Sequence, residues 1–389
     1  MSSSTNAGFF FSFGDDNHAE ASPPSPPKPH AEVEDIIPLA RFPWYTLKEN
    51  VLQSWLSCYP LTSPPLDQHP RKGTAPWRAC ATKRQAGDPP KGEPADAAFS
   101  GKPSPLSLTL SASGDQACTL YYQTALDLRS LVEYAPLSGG ESEGRAPGSD
   151  RGARTTPELR DIIPGRYYGG LKVWSCAPDL ARYVISLEPI WRDATRVFGR
   201  EVSSLVFAEV GCGQALPALA AICVGARTVV LQDYNKEVLE LCVKPNIGAT
   251  IAGNGRSCPL VREEGSVSKK EVRVQLVHGD WAKLGWSDPF GDEERADGMC
   301  VAGCDVVLGS DVTFDHDACW KLSQLLQRWL RPVTGVAFIA TKVYYFGTNG
   351  GSLEFAQCAS RFGLTTEEVA HMDEEGGMRR VILKVHKTA

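Results

Sequence analysis

The chain is 389 residues long, 42% hydrophobic and 22% charged; it has room for two average domains, or one large domain with tails, of a globular protein. The formal net charge of −6 advertises no nucleic acid and no anionic membrane as partner, and no apolar run approaches the roughly 20 residues that span a bilayer. The 12 cysteines are scattered, several inside apolar segments (Cys212, Cys223, Cys242, Cys304), as expected of reduced, buried thiols in a cytoplasmic or nuclear protein.

In chain order, the start "MSSSTNAGFFFSFGDD" lacks a basic segment and turns acidic at once, which argues against a secretory or transit peptide. Residues 1–155 have the composition of a partly disordered extension: "SPPSPPKPH" is polyproline-prone, and 60–104 and 137–157 hold too little apolar surface to offset chain entropy. Two islands within it, 32–47 and 106–137, are expected to be ordered, the second as one or two strands and a short helix.

From residue 158 to 389 the pattern sharpens. "SSLVFAEV" (203–210) is a continuous apolar run of the kind a parallel strand covered on both faces requires. "GCGQ" follows, then a helix over 215–225 with Pro217 in its first turn and Gly225 at its stop. "TVVLQD" (228–233) is a second strand, and "NKEVLELCVKPN" a helix with Asn235 as N-cap. Strands are expected at 271–280 and 304–311, and loop insertions at 251–270 and 285–303. The helix "HDACWKLSQLLQRWLRP" carries Leu322, Leu325, Leu326, Trp329 and Leu330 on one face. A strand at 334–347, the helix "LEFAQCASRFG" and a last strand "GMRRVILKVHK" complete a doubly wound α/β sheet.

In such sheets ligands bind at the carboxyl ends of the strands. Those ends carry Gly211-Cys212-Gly213, Gln232-Asp233-Tyr234, Gly279-Asp280-Trp281 and Ser310-Asp311. The glycines let the backbone approach a ligand closely, and Asp233 has the spacing from Gly213 at which a carboxylate holds ribose hydroxyls. The simpler alternative is a tight turn and a cap with no ligand. A dinucleotide needs a third glycine, and Leu216-Pro217 stand there instead. Glu209 would repel pyrophosphate but suits the ammonium of a methionine moiety. Asp280 can accept from an adenine amino group, and the Trp281 indole can stack on the ring. The reading is S-adenosyl-L-methionine rather than NAD. Cys300 and Cys304 lack a second cysteine pair, so no metal is expected.

The stretches "DIIPGRYYGGLKVWSC" (161–176), "GCGQALPAL", "QDYN", "GDW", "GSDVTF" and "YYFGTNGG" (344–351) carry a resemblance. From about residue 158 the chain resembles class I, seven-β-strand S-adenosylmethionine-dependent methyltransferases. More narrowly it resembles the protein-histidine N-methyltransferase family that modifies a histidine of large-subunit ribosomal protein L3. The likeness implies a Rossmann-like, mostly parallel seven-stranded sheet. It also implies cofactor contacts from Trp174, Ser175, Cys176, Ala177 and Pro178, with Gly211, Gln232, Asp233, Tyr234, Gly279, Asp280, Trp281 and Ser310. A ribosomal-protein substrate, no direct nucleic-acid contact and a monomeric enzyme of cytoplasm and nucleus are expected with it.

Two departures stand out. Ala215 takes a position that many methyltransferases give to glycine, and is expected to sit there in right-handed helical geometry. Phe314 replaces the commoner tyrosine of the (D/E)xx(Y/F) element. For catalysis, Asp311 is expected to accept the N–H of a substrate imidazole, with Tyr344, Tyr345 and Phe346 flanking the ring. His316 reads as an exposed helix-start residue. The alternatives are a protein-lysine methyltransferase of the same fold and a cofactor-binding ribosome-assembly adaptor without catalysis.

Overall fold

The computed structural model describes residues 36–57, 105–111, 117–123, 162–163, 165–254, 271–287, 303–373 and 377–388. Of the loops expected at 251–270 and 285–303, residues 255–270 and 288–302 lie outside the described residues, as does the helix expected after 123; residues 251–253 instead complete the helix Lys244–Gly253 and Gly285 ends the strand Leu284–Gly285.

The apolar runs form the centre of the sheet because each buries both faces. β1 (Ile37–Pro38), β2 (Trp44–Thr46), β3 (Pro105–Ser111) and β4 (Ala117–Gln123) precede it. β5 (Val206–Val210), β6 (Thr228–Asp233), β7 (Arg273–His278), β8 (Leu284–Gly285), β9 (Val306–Ser310), β10 (Val336–Lys342), β11 (Leu364–Met372) and β12 (Arg380–Lys387) follow. All five residues of β5 and all six of β6 are buried. The main sheet has the order β11-β12-β10-β9-β5-β6-β7-β2. β10, β9, β5, β6 and β7 are mutually parallel, whereas β12, β11 and β2 are antiparallel to their neighbours. Setting β2 aside, this is the seven-stranded order of the class I methyltransferase fold.

β2 adds an eighth strand, in register with β7 from Trp44↔Gln275 to Thr46↔Arg273. Gln275 Nε2 donates to the carbonyls of Leu39 and Phe42, each at 2.8 Å, which locks this edge. The first ordered island therefore belongs to the sheet, and it runs on into a helix the sequence pattern missed, α1 (Glu49–Ser57). β11 was missed as well. Its face is half exposed and reads as a polar segment, and its pairing with β12 is what defines it.

The remaining helices are α2 (Cys176–Ser186), α3 (Glu188–Arg192), α4 (Ala194–Phe198), α5 (Leu216–Cys223), α6 (Lys236–Val238), α7 (Lys244–Gly253), α8 (His316–Trp329) and α9 (Ser352–Arg361). A π turn, Leu239–Val243, joins α6 to α7. α5 is buried on every face, which is why its sequence shows no amphipathic stripe. α2 packs against α5, β9 and β10. A buried ion pair, Arg380 Nε to Asp179 Oδ2 at 2.6 Å, fastens α2 to β12. Among the described residues no helix is long and apolar enough to cross a membrane, and the cysteines there are unbridged and buried.

Two capping expectations are corrected. Asn235 precedes α6 but makes no side-chain cap; its amide serves another segment, described below. Ala215 adopts φ 61°, ψ 26°, in the left-handed region rather than the right-handed helical one. The turn out of β5 demands that geometry, and a Cβ there costs about 1 kcal/mol. Ala215→Gly is therefore expected to leave stability unchanged or raise it by up to ~1 kcal/mol, against the usual loss for Ala→Gly at a helix end. Denaturant unfolding checks this; a loss above about 1 kcal/mol would contradict it.

Candidate active site

A cavity of about 510 Å³ opens at the carboxyl ends of the parallel strands, within the range of ordinary small-molecule sites. Its floor is the turn after β5. Gly211 N donates to Gln232 Oε1 at 3.0 Å, and Gly213 N donates to Asp233 Oδ2 at 3.0 Å. Behind the turn, buried Gln214 is a junction. Its Oε1 accepts from Gln123 N (3.1 Å) and Asn246 Nδ2 (2.8 Å), and its Nε2 donates to Leu171 O (3.1 Å). The hairpin β3-β4, far away in sequence, thus supports the glycine turn.

The irregular stretch before α2 forms one wall. Its glycines matter where the chain comes close: a Cβ on Gly170 would lie 2.9 Å from the Val238 methyls and 3.0 Å from Asp233 Oδ2. Polar groups of the turn after β6 and of the stretch itself hold this wall. Tyr234 hydroxyl donates to Gly165 O at 3.0 Å, and Asn235 Nδ2 donates to Arg166 O at 2.7 Å. Asn235 Oδ1 accepts from Tyr168 N at 3.2 Å. The Trp174 indole N–H donates to Gly169 O at 2.9 Å. Asn235 is spent here, which explains its absence as a cap.

On the β6 and β7 side, Gln232 is fully buried and fixes the opposite wall. Its Oε1 also accepts from the Trp281 indole at 2.6 Å, and its Nε2 donates to Gly279 O at 2.9 Å. Asp280 accepts from Ala282 N (2.9 Å) and from Lys321 Nζ (3.2 Å). On the β9 and β10 side, Asp311 sits at φ 54°. Its Oδ2 accepts from Cys176 N at 2.8 Å; its Oδ1 accepts from Lys342 Nζ at 2.9 Å and from the Tyr345 hydroxyl at 3.0 Å. Burial, then the nearby Asp311 charge, pushes the Tyr345 phenol up, so it remains a donor.

Of the residues proposed from sequence, Trp174, Ala177, Gly211, Gly213, Asp233, Tyr234, Gly279, Asp280, Trp281, Ser310, Asp311, Tyr345 and Phe346 line the cavity. Others do not. Ser175 is exposed, and Cys176 and Pro178 belong to the first turn of α2, behind the wall. Gln232 acts from behind, through Gly211 and Trp281. Tyr344 is 51% exposed and rests edge-on against Phe346, outside the cavity. His316 begins α8, exposed as expected, and hydrogen-bonds Glu354 at 2.5 Å. Lys342, Lys172, Tyr168, Phe314 and Gln214 also line the cavity and were not singled out. The signal for Lys342 was a lysine ending an apolar strand directly before "VYYF".

Glu209 is corrected more substantially. It is fully buried off the cavity, its Oε2 accepting from Ala218 N at 2.8 Å and its Oε1 without a partner. Burial pushes its carboxyl well above the usual range, so it does not repel a phosphate through space. It occupies an N–H of the α5 terminus instead. Pro217, beside it, has no N–H to give. The helix end that grips pyrophosphate in dinucleotide folds is thereby disarmed.

The residues present fit S-adenosylmethionine. The Asp233 carboxylate and the Trp281 indole line the cavity, and the α5 terminus lacks two of the N–H groups a phosphate would take. Burial raises the Asp233 carboxyl to about 6. A group held there loses its proton later than in the unfolded chain. Its contribution to folding is therefore fully present below about pH 4 and lost as pH rises through 6. Cofactor affinity runs the opposite way, because the ribose hydroxyls need the carboxylate. Titration calorimetry between pH 5 and 8 should show S-adenosylmethionine affinity dropping about tenfold from pH 7 to pH 5. Asp233→Asn should be weaker at pH 7 and flat with pH; a flat profile in the unaltered protein would contradict the assignment.

No family model matches the chain. It is similar to the histidine protein methyltransferase 1 homolog of Rattus norvegicus, 27% identical over 248 residues, covering 61% of this chain and 62% of that one. It is also similar to the protein N-terminal and lysine N-methyltransferase EFM7 of Eremothecium gossypii, 29% identical over 161 residues, 41% of this chain and 54% of that one. Among solved structures, magnesium protoporphyrin IX methyltransferase of Synechocystis PCC 6803 with bound SAM aligns at 12% identity. It covers 55% of this chain and 86% of that one with a TM-score of 0.32. The chain thus spans about three-fifths of the rat relative's length.

Proposed function

We propose that this protein is an S-adenosylmethionine-dependent protein-histidine N-methyltransferase acting on a large-subunit ribosomal protein, L3 by family resemblance. The observation that carries the reading is the similarity to proteins named for histidine methylation, joined to a phosphate-free adenosyl cavity. A monomer working in cytoplasm and nucleus, where ribosomal proteins are made and assembled, accompanies it.

The cofactor, when bound, supplies an electrophilic methyl carbon and a thioether leaving group. Everything else falls to the chain. Gly211, Gly213, Asp233 and Trp281 would hold and orient the adenosyl end, and Trp174 and Ala177 would exclude water from the methyl end. With the cofactor bound, the methyl carbon would pass to an imidazole nitrogen that presents its free lone pair, the N–C bond forming as the S–C bond breaks. The resulting cation sheds the proton of its other ring nitrogen. Asp311 is suited to hold that N–H. A carboxylate has about four acceptor sites; Cys176, Lys342 and Tyr345 use three.

Asp311→Asn keeps an oxygen for Cys176 N and turns an amide toward Lys342. Turnover is expected to fall tenfold or more, with cofactor affinity changed less than threefold. Unaltered turnover would remove Asp311 from the mechanism.

The reading itself is tested with tritiated S-adenosylmethionine and separated ribosomal proteins, followed by amino-acid analysis of labelled bands. Label in methylhistidine from one large-subunit protein is expected. The similarity to a lysine N-methyltransferase keeps a second reading open, and label in methyl-lysine would select it. Cofactor binding without any label would support a non-catalytic adaptor.

A further inference from the structure

Enzymes that methylate or read lysine need a seat for an ammonium: aromatic faces and an uncompensated carboxylate. This cavity contains such a seat, and the protein itself fills it. Lys342, the last residue of β10, places its Nζ 2.9 Å from Asp311 Oδ1. The same ammonium lies 4.8 Å from the Tyr345 ring centre and 5.5 Å from that of Trp174. Lys172 Nζ lies 4.0 Å from the Trp174 ring centre. Both lysines, both aromatics and Asp311 line the cavity.

The other carboxylates of the lining are also engaged. Asp233 accepts from Gly213 N and Asn235 N. Asp280 and Asp317 share Lys321, at 3.2 and 2.8 Å. Asp315 caps α8 through Ala318 N at 2.7 Å. Of the lining acids Asp311 is the one beside the Tyr345 ring, and its pairing with Lys342 puts a positive charge where an incoming cation would sit.

We infer that Lys342 is a specificity-determining residue: it occupies the ammonium seat formed by Asp311, Tyr345 and Trp174, so that the cavity admits a neutral nitrogen nucleophile and refuses a protonated amine. The inference deepens the histidine reading and rests on it. At pH 7 about three-quarters of imidazoles are neutral, against roughly one lysine amine in 2,500. Excluding the protonated form alone therefore selects imidazole by about two-thousandfold. The N–H of a neutral imidazole asks Asp311 for one acceptor site, not for its charge, so the Lys342 pairing does not obstruct it.

The test needs no known substrate. Imidazole and n-butylamine are titrated at pH 7 into the full-length protein saturated with S-adenosylhomocysteine, and binding is followed by saturation-transfer NMR. The unaltered protein is expected to bind imidazole at least tenfold more tightly than butylammonium. Lys342→Met, which keeps the stem and removes the charge, should gain at least tenfold in butylammonium affinity. Lys342→Arg keeps the charge and should keep the preference. A merely structural role for Lys342 would weaken both probes together in Lys342→Met, and equal S-adenosylhomocysteine affinity in the variants guards against misfolding. Equal binding of both probes by the unaltered protein, binding of neither, or no gain in Lys342→Met would overturn the inference. The labelling assay reports separately: methyl-lysine there with imidazole preference here would sink the histidine reading alone, whereas methylhistidine with no such preference would sink only the role of Lys342.

Discussion

The carboxylate of Asp311 is where three otherwise independent pieces of chain meet. It stands at the end of β9 in left-handed geometry, one of few ways to turn a side chain across the strand ends. From there it reaches the first amide of α2, the last residue of β10 and the aromatic segment that follows. The tryptophan-bearing wall, the floor of the sheet and the substrate side are thereby set by one side chain. A backbone conformation this unfavourable for a residue with a Cβ persists only where its surroundings over-determine it. Here they do, through an ion pair, a phenol and a helix amide at once.

Most of the sheet was legible because its centre is buried on both faces. Runs such as "LVFAEV" and "TVVLQD" have no other stable home, and their order with the helices dictates the topology. The illegible parts depend on partners rather than on pattern. β11 and β2 are half-exposed edge strands whose identity comes from β12 and β7. Cavity-lining residues found at strand ends followed from the same logic. Gln232 and Glu209 do not face the cavity because a polar residue near a ligand end can face the ligand or hold the wall, and spacing does not separate the two. Glu209 is the instructive case: a buried acid beside a helix start satisfies the backbone first.

The amino-terminal part of the chain does more than decorate. β2 and the 3₁₀ turn before it seal one edge of the sheet through Gln275. The hairpin β3-β4 reaches the cofactor turn through the contact of Gln123 with Gln214. Gln214 in turn touches α7 and the Gly170 wall. Segments that composition marks as an extension are therefore tied into the cavity's rear support, and the ordered core extends past the methyltransferase-like region.

The disarmed terminus of α5 bears on life in a crowded solution of adenine nucleotides. Most pockets that hold adenosine also hold phosphate, and so admit ATP, ADP and NAD as competitors. Here Pro217 offers no amide and Glu209 consumes the next, so the first turn of α5 has two fewer N–H groups to offer a nucleotide's charged tail. The grip that dinucleotide folds apply through a helix terminus is weakened to that extent. That weakening is built into the backbone of one helix turn, with no side chain devoted to repulsion.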